Sequence, residues 1–328
     1  MKLRWIDFLK GVAILAVVLD HLHGIIYNNT QIHLLTQYSV TLFILLAGVT
    51  SGISNSNNTL KYSPYIIRKL RSIFIPYMLA TVIYHIVANS YHFNFELFKQ
   101  QLIMFNASGP FYFVLFYMQL VIVSPFLYKL FANRAIYQQG ILLIVFYFIS
   151  KYLTHYTAIE GYYGGAGKLL GGSYLFVFCF GIVVYLNLHL LDRVKKVWLW
   201  IGLLLSVGIY LLYINIGWLE KGWFNPPTKY TFMFALIVAL IGWFAFHLVH
   251  TTWISKILFV VELLGKYSLY VFLYHSLFIH FGLQWFQSNL PLNLLEKLVF
   301  LLIVLLPGLL IGIVITKKKN IRKLLFKS

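Results

Sequence analysis

The stretch WIDFLKGVAILAVVLDHLHGIIY, residues 5–27, decides how this chain must fold. It is long enough to cross a bilayer as a helix, because about 20 apolar residues at 1.5 Å per residue span the hydrocarbon core. It also carries four charged or titratable side chains, which are Asp7, Lys10, Asp20 and His21. A charged side chain inside a membrane costs about 3 kcal/mol or more unless it faces a wet or paired interior. We therefore predict a helix that lines a site rather than one that only anchors the chain.

The composition extends this prediction to the whole chain. Hydrophobic residues make up 61% of the 328 positions and charged residues 10%, whereas a soluble domain holds about 25% charged residues. Apolar runs of spanning length recur throughout, and they lack the alternation of barrel strands. The predicted fold class is all-α, a polytopic membrane helical bundle in one domain, 1–328, with a short basic tail at 317–328. About ten spans are predicted, at 5–27, 34–53, 72–91, 110–131, 136–156, 173–188, 197–217, 229–250, 267–286 and 294–316; the run at 257–265 is too short to span and is expected at the membrane interface.

The net charge of +18 is first of all a topology signal. Lysines and arginines collect in cytoplasmic loops, and most of those in this chain fall in segments that are inside when the N-terminus is inside. This distribution predicts that both termini are cytoplasmic. The basic tail also suits anionic headgroups, so membrane lipids are predicted partners. Nucleic acid is not a predicted partner, because the chain has no evident soluble reading surface.

Lys10 and His21 lie eleven residues apart, which is about three helical turns, so they share one face of the first span. A histidine titrates near neutrality and can take a proton from a hydroxyl or accept an acyl group itself. Asp20 lies about 100° around the helix from His21 and would orient the imidazole only if its side chain bends back; otherwise it pairs elsewhere. The alternative for His21 is a histidine satisfied by packing and hydrogen bonds.

A second group of charges is RKLRSIFIPY, residues 68–77, at the entry to the third span. Arg68 and Arg71 lie three residues apart on one helix face. Two guanidiniums make a good clamp for phosphate, because each offers a planar fork of donors. The alternative is simple positive-inside anchoring. Pro76 is expected to kink the helix that follows.

The remaining titratable and aromatic residues add weaker signals. His85 lies about 40° from the face of Arg71 and could line the same cavity. Tyr270 and Tyr274 are candidates for stacking on a sugar. His275 stands in mid-span, either as the wall of a site or in a hydrogen bond between helices.

A metal site is not predicted from this sequence. His275 and His280 lie five residues apart and do not share a helix face, so they do not form a metal pair. The single cysteine, Cys179, allows neither a disulfide framework nor a cysteine-based cluster.

Four stretches together resemble the acyltransferase 3 family of integral-membrane acyltransferases. They are WIDFLKGVAILAVVLDH (5–21), RKLRSIFIPY (68–77), GPFYFVLFYMQLVIVSPFL (109–127) and GKYSLYVFLYHSLFI (265–279). The first carries the family's basic residue, ten others and a histidine, here Lys10 and His21. The last carries its glycine, serine and histidine pattern, here with Ser268 and His275.

The resemblance implies transfer of an acyl group, usually acetyl from acetyl-CoA, to a sugar of a cell-surface glycan or of a lipid-linked precursor. It implies that His21 is catalytic and that Arg68 and Arg71 contact the donor. From the residues of the first span, Asp20 is the candidate partner of His21, and Lys10 is a further candidate for binding the donor. The candidate residues for binding the acceptor are Ser268, Tyr270, Tyr274 and His275.

Two functional hypotheses follow from the sequence. The first is an acetyl-CoA-dependent O-acetyltransferase in a bacterial plasma membrane, the bacterial origin being suggested by the abundance of Asn, Lys, Ile and Tyr. The second is a transporter of a polysaccharide or solute that uses the polar stripe of the first span. The two arginines favour the enzyme, because a carrier of neutral sugar has no evident use for them. The oligomeric state stays open, with a homo-oligomer among the options.

Overall fold

The structure is a computed structural model that describes residues 4–89, 92–156, 174–191, 194–218, 228–248, 252–286 and 292–325. These residues fold almost entirely into helices joined by short segments. The helices are α1 Arg4–His21, α2 Thr30–Leu34, α3 Ser39–Ser56, α4 Tyr62–Ala88, α5 Phe95–Met104, the 3-10 turn Gly109–Phe111, α6 Tyr112–Ala132, α7 Ile136–Tyr156, α8 Tyr174–Leu186, α9 Leu188–Leu191, α10 Lys196–Asn215, α11 Lys229–Leu248, α12 Thr252–Lys266, α13 Ser268–Phe286 and α14 Leu294–Leu325.

The all-α membrane class predicted from the sequence is confirmed. Each of the ten predicted spans coincides with a helix. Within the described residues, seven helices are long and apolar enough to cross a membrane, and eight if the bent pair α12–α13 counts as one span. α1 is not among them, since four of its side chains are charged, and α8 has only 13 residues. The number ten therefore stays a prediction.

The chain divides into two compact units. The terminal unit comprises Met1–Ser39 and Val249–Ser328, and the central unit comprises Val40–Leu248. The first helix thus packs against α12 and α13, although more than 200 residues separate them in sequence. A single domain was predicted at 1–328, and the predicted basic tail at 317–328 begins inside α14, whose backbone stays helical to Leu325.

In the terminal unit, α1 and α12 approach so closely that their backbones touch. A Cβ atom added to Gly11 would collide with the carbonyl oxygen of Val261. A Cβ atom added to Gly265 would collide with the carbonyl oxygen of Asp7. Only glycine permits this spacing, and small residues at helix interfaces are the usual means of close packing in membranes. The crossing fixes α1, and with it His21 at its end.

α12 corresponds to the short apolar run that the sequence placed at the membrane interface. It is a 15-residue helix that meets α13 at a bend of 83°. Its Glu262 receives two hydrogen bonds of 2.9 Å from the guanidinium of Arg4, one from Nε and one from Nη2. This bidentate pair raises the pKa of Arg4 above its ordinary value, first through the hydrogen bond and then through the opposite charge. It ties the start of α1 to α12.

In the central unit, the ends of several helices meet through polar contacts. Ser56 at the end of α3 lies 2.5 Å from the hydroxyl of Tyr185 at the end of α8. Tyr65 in the first turn of α4 donates to Ser54 near the end of α3, at 3.1 Å. α3 and α8 therefore end, and α4 begins, on the same side of this unit, as the predicted alternation of spans requires.

Candidate active site

His21 is the last residue of α1, and its imidazole is exposed. The helix before it is held by a buried stripe that includes Ala13, Ile14 and Val18, all 0% exposed. Directly after it, Leu22 is buried again and the chain turns at Gly24, whose φ is +84°. The imidazole is thus presented at the end of a rigidly packed element.

One hydrogen bond determines which ring nitrogen of His21 can act as a base. Nδ1 lies 2.8 Å from the carbonyl oxygen of Val17. Because a carbonyl oxygen only accepts hydrogen bonds, Nδ1 must carry the hydrogen, and the neutral ring then has its lone pair on Nε2. Among the residues that the structure describes, Nε2 has no hydrogen-bond partner. The lone pair is therefore free to take a proton from a substrate hydroxyl.

His275 contacts His21 directly and forms a wall beside it. The two ring centroids lie 4.9 Å apart at an interplanar angle of 75°, an edge-to-face contact. His275 is 0% exposed, and its own polar atoms are satisfied within α13: Nδ1 donates to the carbonyl of Phe272 at 2.6 Å, and Nε2 accepts from Ser276 at 3.2 Å. These hydrogen bonds stay within α13, so among the described residues His275 forms no hydrogen bond between helices, and its role as the wall of a site stays a prediction.

Asp20 pairs away from His21. Its Oδ1 accepts a 2.8 Å hydrogen bond from the hydroxyl of Thr36 and lies 3.4 Å from Nδ1 of His33. That second contact is within ion-pairing distance but lacks hydrogen-bond geometry, and Nδ1 of His33 is buried with no hydrogen-bond partner among the described residues. We interpret it as an ion pair only when His33 is protonated. No hydrogen bond joins Asp20 to His21, so the orienting role considered for this carboxylate has no structural support.

The residues around Asp20 form a connected cluster that the sequence reading missed. The rings of His23 and His33 lie 4.5 Å apart, and the hydroxyl of Tyr27 donates to the carbonyl of Leu19 at 2.8 Å. The contacts fold the segment after α1 back onto the end of that helix. The sequence signal for this cluster is the density of polar residues at 20–36, directly after an apolar span. Which of these residues contact each other depends on the turns of the backbone, which the sequence pattern does not give.

Lys10 and Asp7 are half-buried on α1, and each takes part in an interaction with its surroundings. Lys10 lies about 16 Å along the helix axis from His21, since eleven residues rise 1.5 Å each. It shares the face of His21 as predicted but does not touch the imidazole. Any donor contact by Lys10 would therefore involve a part of the ligand far from the reacting carbon.

Arg68 and Arg71 lie in the central unit, whereas His21 lies in the terminal unit. Both side chains are exposed on α4. They share that face of the helix with exposed apolar residues such as Ile75 and Leu79, which are 47% and 45% exposed. The arginines are accessible to a ligand, and the same placement fits anchoring at a membrane boundary.

The remaining predicted acceptor residues lie on α13. Ser268 is its half-buried first residue. The ring of Tyr270 packs against Gly312 of α14, where an added Cβ would come within 2.9 Å of it, and Tyr274 is only 4% exposed. Among the described residues, no hydrogen bond or ring contact joins these three side chains to His21. A sugar-stacking role for the tyrosines therefore stays a prediction.

His85 has a structural role, in contrast to the cavity-lining role considered for it. It is 0% exposed in the central unit, with Nδ1 at 2.8 Å from Oε1 of Gln101. Its Nε2 accepts a 3.0 Å hydrogen bond from the backbone N–H of Asn94, the residue that caps α5. With both nitrogens satisfied, the imidazole joins the end of α4 to α5.

Comparison with known proteins adds one finding. A family model described as an acyltransferase domain matches residues 3–317 of the 328-residue chain. No curated protein and no solved structure matches the chain. The match runs from the start of α1 to the last apolar turn of α14, and it covers both units.

Proposed function

The chain belongs to the acyltransferase 3 family and is a membrane acyltransferase, and from this premise we propose that it transfers an acetyl group from acetyl-CoA to a hydroxyl of a cell-surface glycan or a lipid-linked sugar. Acetyl is the acyl group that the resemblance implies, and a bacterial plasma membrane is the proposed location. The observation that carries the proposal is the exposed imidazole of His21, in which the hydrogen bond from Nδ1 to Val17 leaves the lone pair on Nε2.

The proposed reaction uses His21 as a general base. The acceptor oxygen bonds to the thioester carbonyl carbon while its proton passes to Nε2 of His21. The carbon–sulfur bond then breaks, and the CoA sulfur takes that proton from the imidazolium as it leaves. Because Nδ1 stays bonded to the Val17 carbonyl throughout, the ring keeps one orientation in both steps. Such a base contributes about 10²- to 10⁴-fold to the rate.

The donor side of the proposal uses Arg68 and Arg71 as contacts to the phosphates of CoA. Their support is their exposure and the fit of a guanidinium fork to phosphate oxygens. If the termini are cytoplasmic as predicted, the start of α4 faces the compartment that contains acetyl-CoA. The KM for acetyl-CoA of the variants Arg68→Ala and Arg71→Ala tests this part, and wild-type values would return both residues to anchoring.

The main test is acetyl transfer by the purified protein in nanodiscs. Release of CoA and movement of label from acetyl-CoA to a sugar acceptor are measured together. We expect His21→Ala to lower the rate by about 10²-fold or more, because it removes the base. The matched control is His280→Ala, since His280 is an exposed histidine of α13 that contacts Gln284. This substitution should change the rate by no more than about twofold. A wild-type rate in His21→Ala would refute the mechanism.

The transporter hypothesis has one structural observation in its favour. α12 and α13 form a helix pair broken by 83°, and broken helices surround the substrate sites of many transporters. Proteoliposomes separate the two functions. Uptake of a labelled sugar without consumption of acetyl-CoA would support transport, whereas acetylation without uptake would support the enzyme.

A further inference from the structure

The helix α4 carries three cations close together, and its periodicity separates them. Lys69 lies four residues after Tyr65 and four before Ile73, both of which are buried, so it belongs to the buried stripe of the helix. Lys69 itself is half-buried. Arg68 and Arg71 belong instead to the exposed face. The spacing of the two arginines identifies them as a pair in the sequence. The lysine between them is distinguished only by its burial.

Lys69 lies above an aromatic ring that is part of a polar network. Its Nζ is 5.7 Å from the ring centroid of Tyr65, which is 1% exposed. The hydroxyl of Tyr65 donates to Oγ of Ser54, whose own hydrogen has no acceptor among the described residues. The next residue, Asn55, donates to the backbone of Ser51 on the same helix, at 2.9 Å. A polar surface of α3 therefore adjoins the ring beneath the lysine.

The charge of Lys69 is not matched by a carboxylate. In the part of the chain that the structure describes, no ion pair joins Lys69 to an acidic residue, and its charged neighbour is Arg68. A half-desolvated ammonium beside another cation is costly unless an anion accompanies it. The cation–π contact with Tyr65 offsets about 0.5–2 kcal/mol of this cost. The arrangement is what a site for an anionic ligand requires.

We propose that Lys69 and the hydroxyl of Ser54 form an anion site in the central unit that binds a phosphate ester, and that the ligand is a phosphate group of the acyl donor. This assignment of the ligand rests on the proposed function. The ammonium supplies the charge, and the Ser54 hydroxyl donates to a phosphate oxygen while it accepts from Tyr65. Arg68 and Arg71 lie on the exposed face of the same helix, so they contact other phosphates of the donor than the one bound at Lys69.

The first test measures binding of 3′,5′-ADP, which carries two of the three phosphates of CoA, to the full-length protein in phosphatidylcholine nanodiscs. Lys69→Met removes the charge at nearly constant length, and we expect it to raise the Kd about tenfold or more. Lys69→Arg should retain most of the affinity. Lys61→Met is the matched control, because Lys61 is an exposed lysine at the start of the same helix. An equal Kd for the wild type and Lys69→Met would overturn the assignment to the donor.

A second arm separates the two sources of phosphate. Binding of phosphatidylglycerol is compared in nanodiscs that contain it at increasing fractions. If Lys69→Met weakens only this binding, the anion site stands and its phosphate belongs to a lipid headgroup. If neither ligand depends on Lys69, the site does not exist. Ser54→Ala removes no charge. It should therefore weaken the binding of the ligand that depends on Lys69 by a smaller factor than Lys69→Met does.

The result also separates this inference from the proposed function. Binding of 3′,5′-ADP that depends on Lys69 in a protein with no acetyl transfer would support the site and refute the reaction. Acetyl transfer that depends on His21 but not on Lys69 would support the reaction and refute the assignment of the donor phosphate to Lys69. Unfolding temperatures of all variants, measured in the same nanodiscs, show that a lost affinity is not a lost fold.

Discussion

At His21, a single intrahelical hydrogen bond determines which ring nitrogen can accept a proton. The carbonyl of Val17 accepts the Nδ1 hydrogen, so in the neutral ring the lone pair is on Nε2. Asp20, the preceding residue, instead accepts a hydrogen bond from Thr36 in the segment after the helix. A backbone carbonyl thus does the orienting that a carboxylate does in many catalytic histidine pairs.

His275 is expected to position His21 rather than to bind substrate. It is fully buried, and its polar atoms are already paired within its own helix, so the ring offers only its contact with His21. Replacing it with alanine would let the catalytic imidazole tilt. We expect kcat to fall about tenfold to a hundredfold with little change in KM for donor or acceptor.

The same experiment distinguishes the substrate-binding role that the sequence suggested for His275. If the acceptor KM rises and kcat stays constant in His275→Ala, the residue contacts the acceptor and the positioning role is wrong. The variant His275→Gln, which keeps a polar side chain of similar size, should recover part of kcat if position alone matters.

At the scale of elements, the crossing of α1 and α12 holds in place the helix that carries His21, the proposed base. Gly11 and Gly265 each lie against a backbone carbonyl of the other helix. Since a carbonyl in a helix cannot move as a flexible side chain can, an added methyl group must push the helices apart. The position of His21 therefore depends on Gly11, about three helical turns away on α1, and on Gly265 of α12.

We expect Gly265→Ala to destabilise the protein by about 1–3 kcal/mol or more, as overpacking does, and to lower acetyl transfer in the same variant. Thermal unfolding in nanodiscs and the transfer assay measure the two effects. Gly208→Ala is the matched control, because Gly208 is a helical glycine with no atom near an added Cβ. An unfolding temperature for Gly265→Ala equal to that of Gly208→Ala would contradict the close crossing.

The elements could be predicted from the sequence better than their limits. Hydropathy placed the third span at 72–91, whereas α4 is Tyr62–Ala88. The first turns of α4 carry Arg68, Lys69 and Arg71. These turns are helical, but their charges lower the local hydropathy, so the hydropathy pattern does not include them in the span. α5 is absent from the predicted spans, because its ten residues have no long apolar face. The cap at Asn94 and the contact of that residue with His85 stabilise this helix instead.

At the scale of the whole molecule, the charge distribution predicts the topology. With both termini cytoplasmic, the segment after α1 faces outward and the segment between α3 and α4 faces inward. A cysteine at Asn28 should then react with a membrane-impermeant maleimide in intact cells, and a cysteine at Thr59 only after the cells are permeabilised. The native Cys179 is 0% exposed and should give no background.

The opposite labelling pattern would invert the topology and would remove acetyl-CoA from the side on which α4 begins. The anion site at Lys69 would then be a contact for outer-leaflet or extracellular phosphate. Equal labelling of both positions in intact cells would contradict the membrane assignment of the intervening helices.

The sequence alone determined the membrane class and the helices, because apolar length acts within one segment of chain. It also singled out His21 as a candidate base, because the cost of a charge in lipid acts within one segment too. Only the tertiary structure decided that His275 lies beside His21, that Asp20 turns to Thr36 and that Lys69 is half-buried while its arginine neighbours are exposed. These features depend on which helices pack together and at what rotation. Periodicity groups residues on a face, and the neighbouring helices determine whether that face is buried.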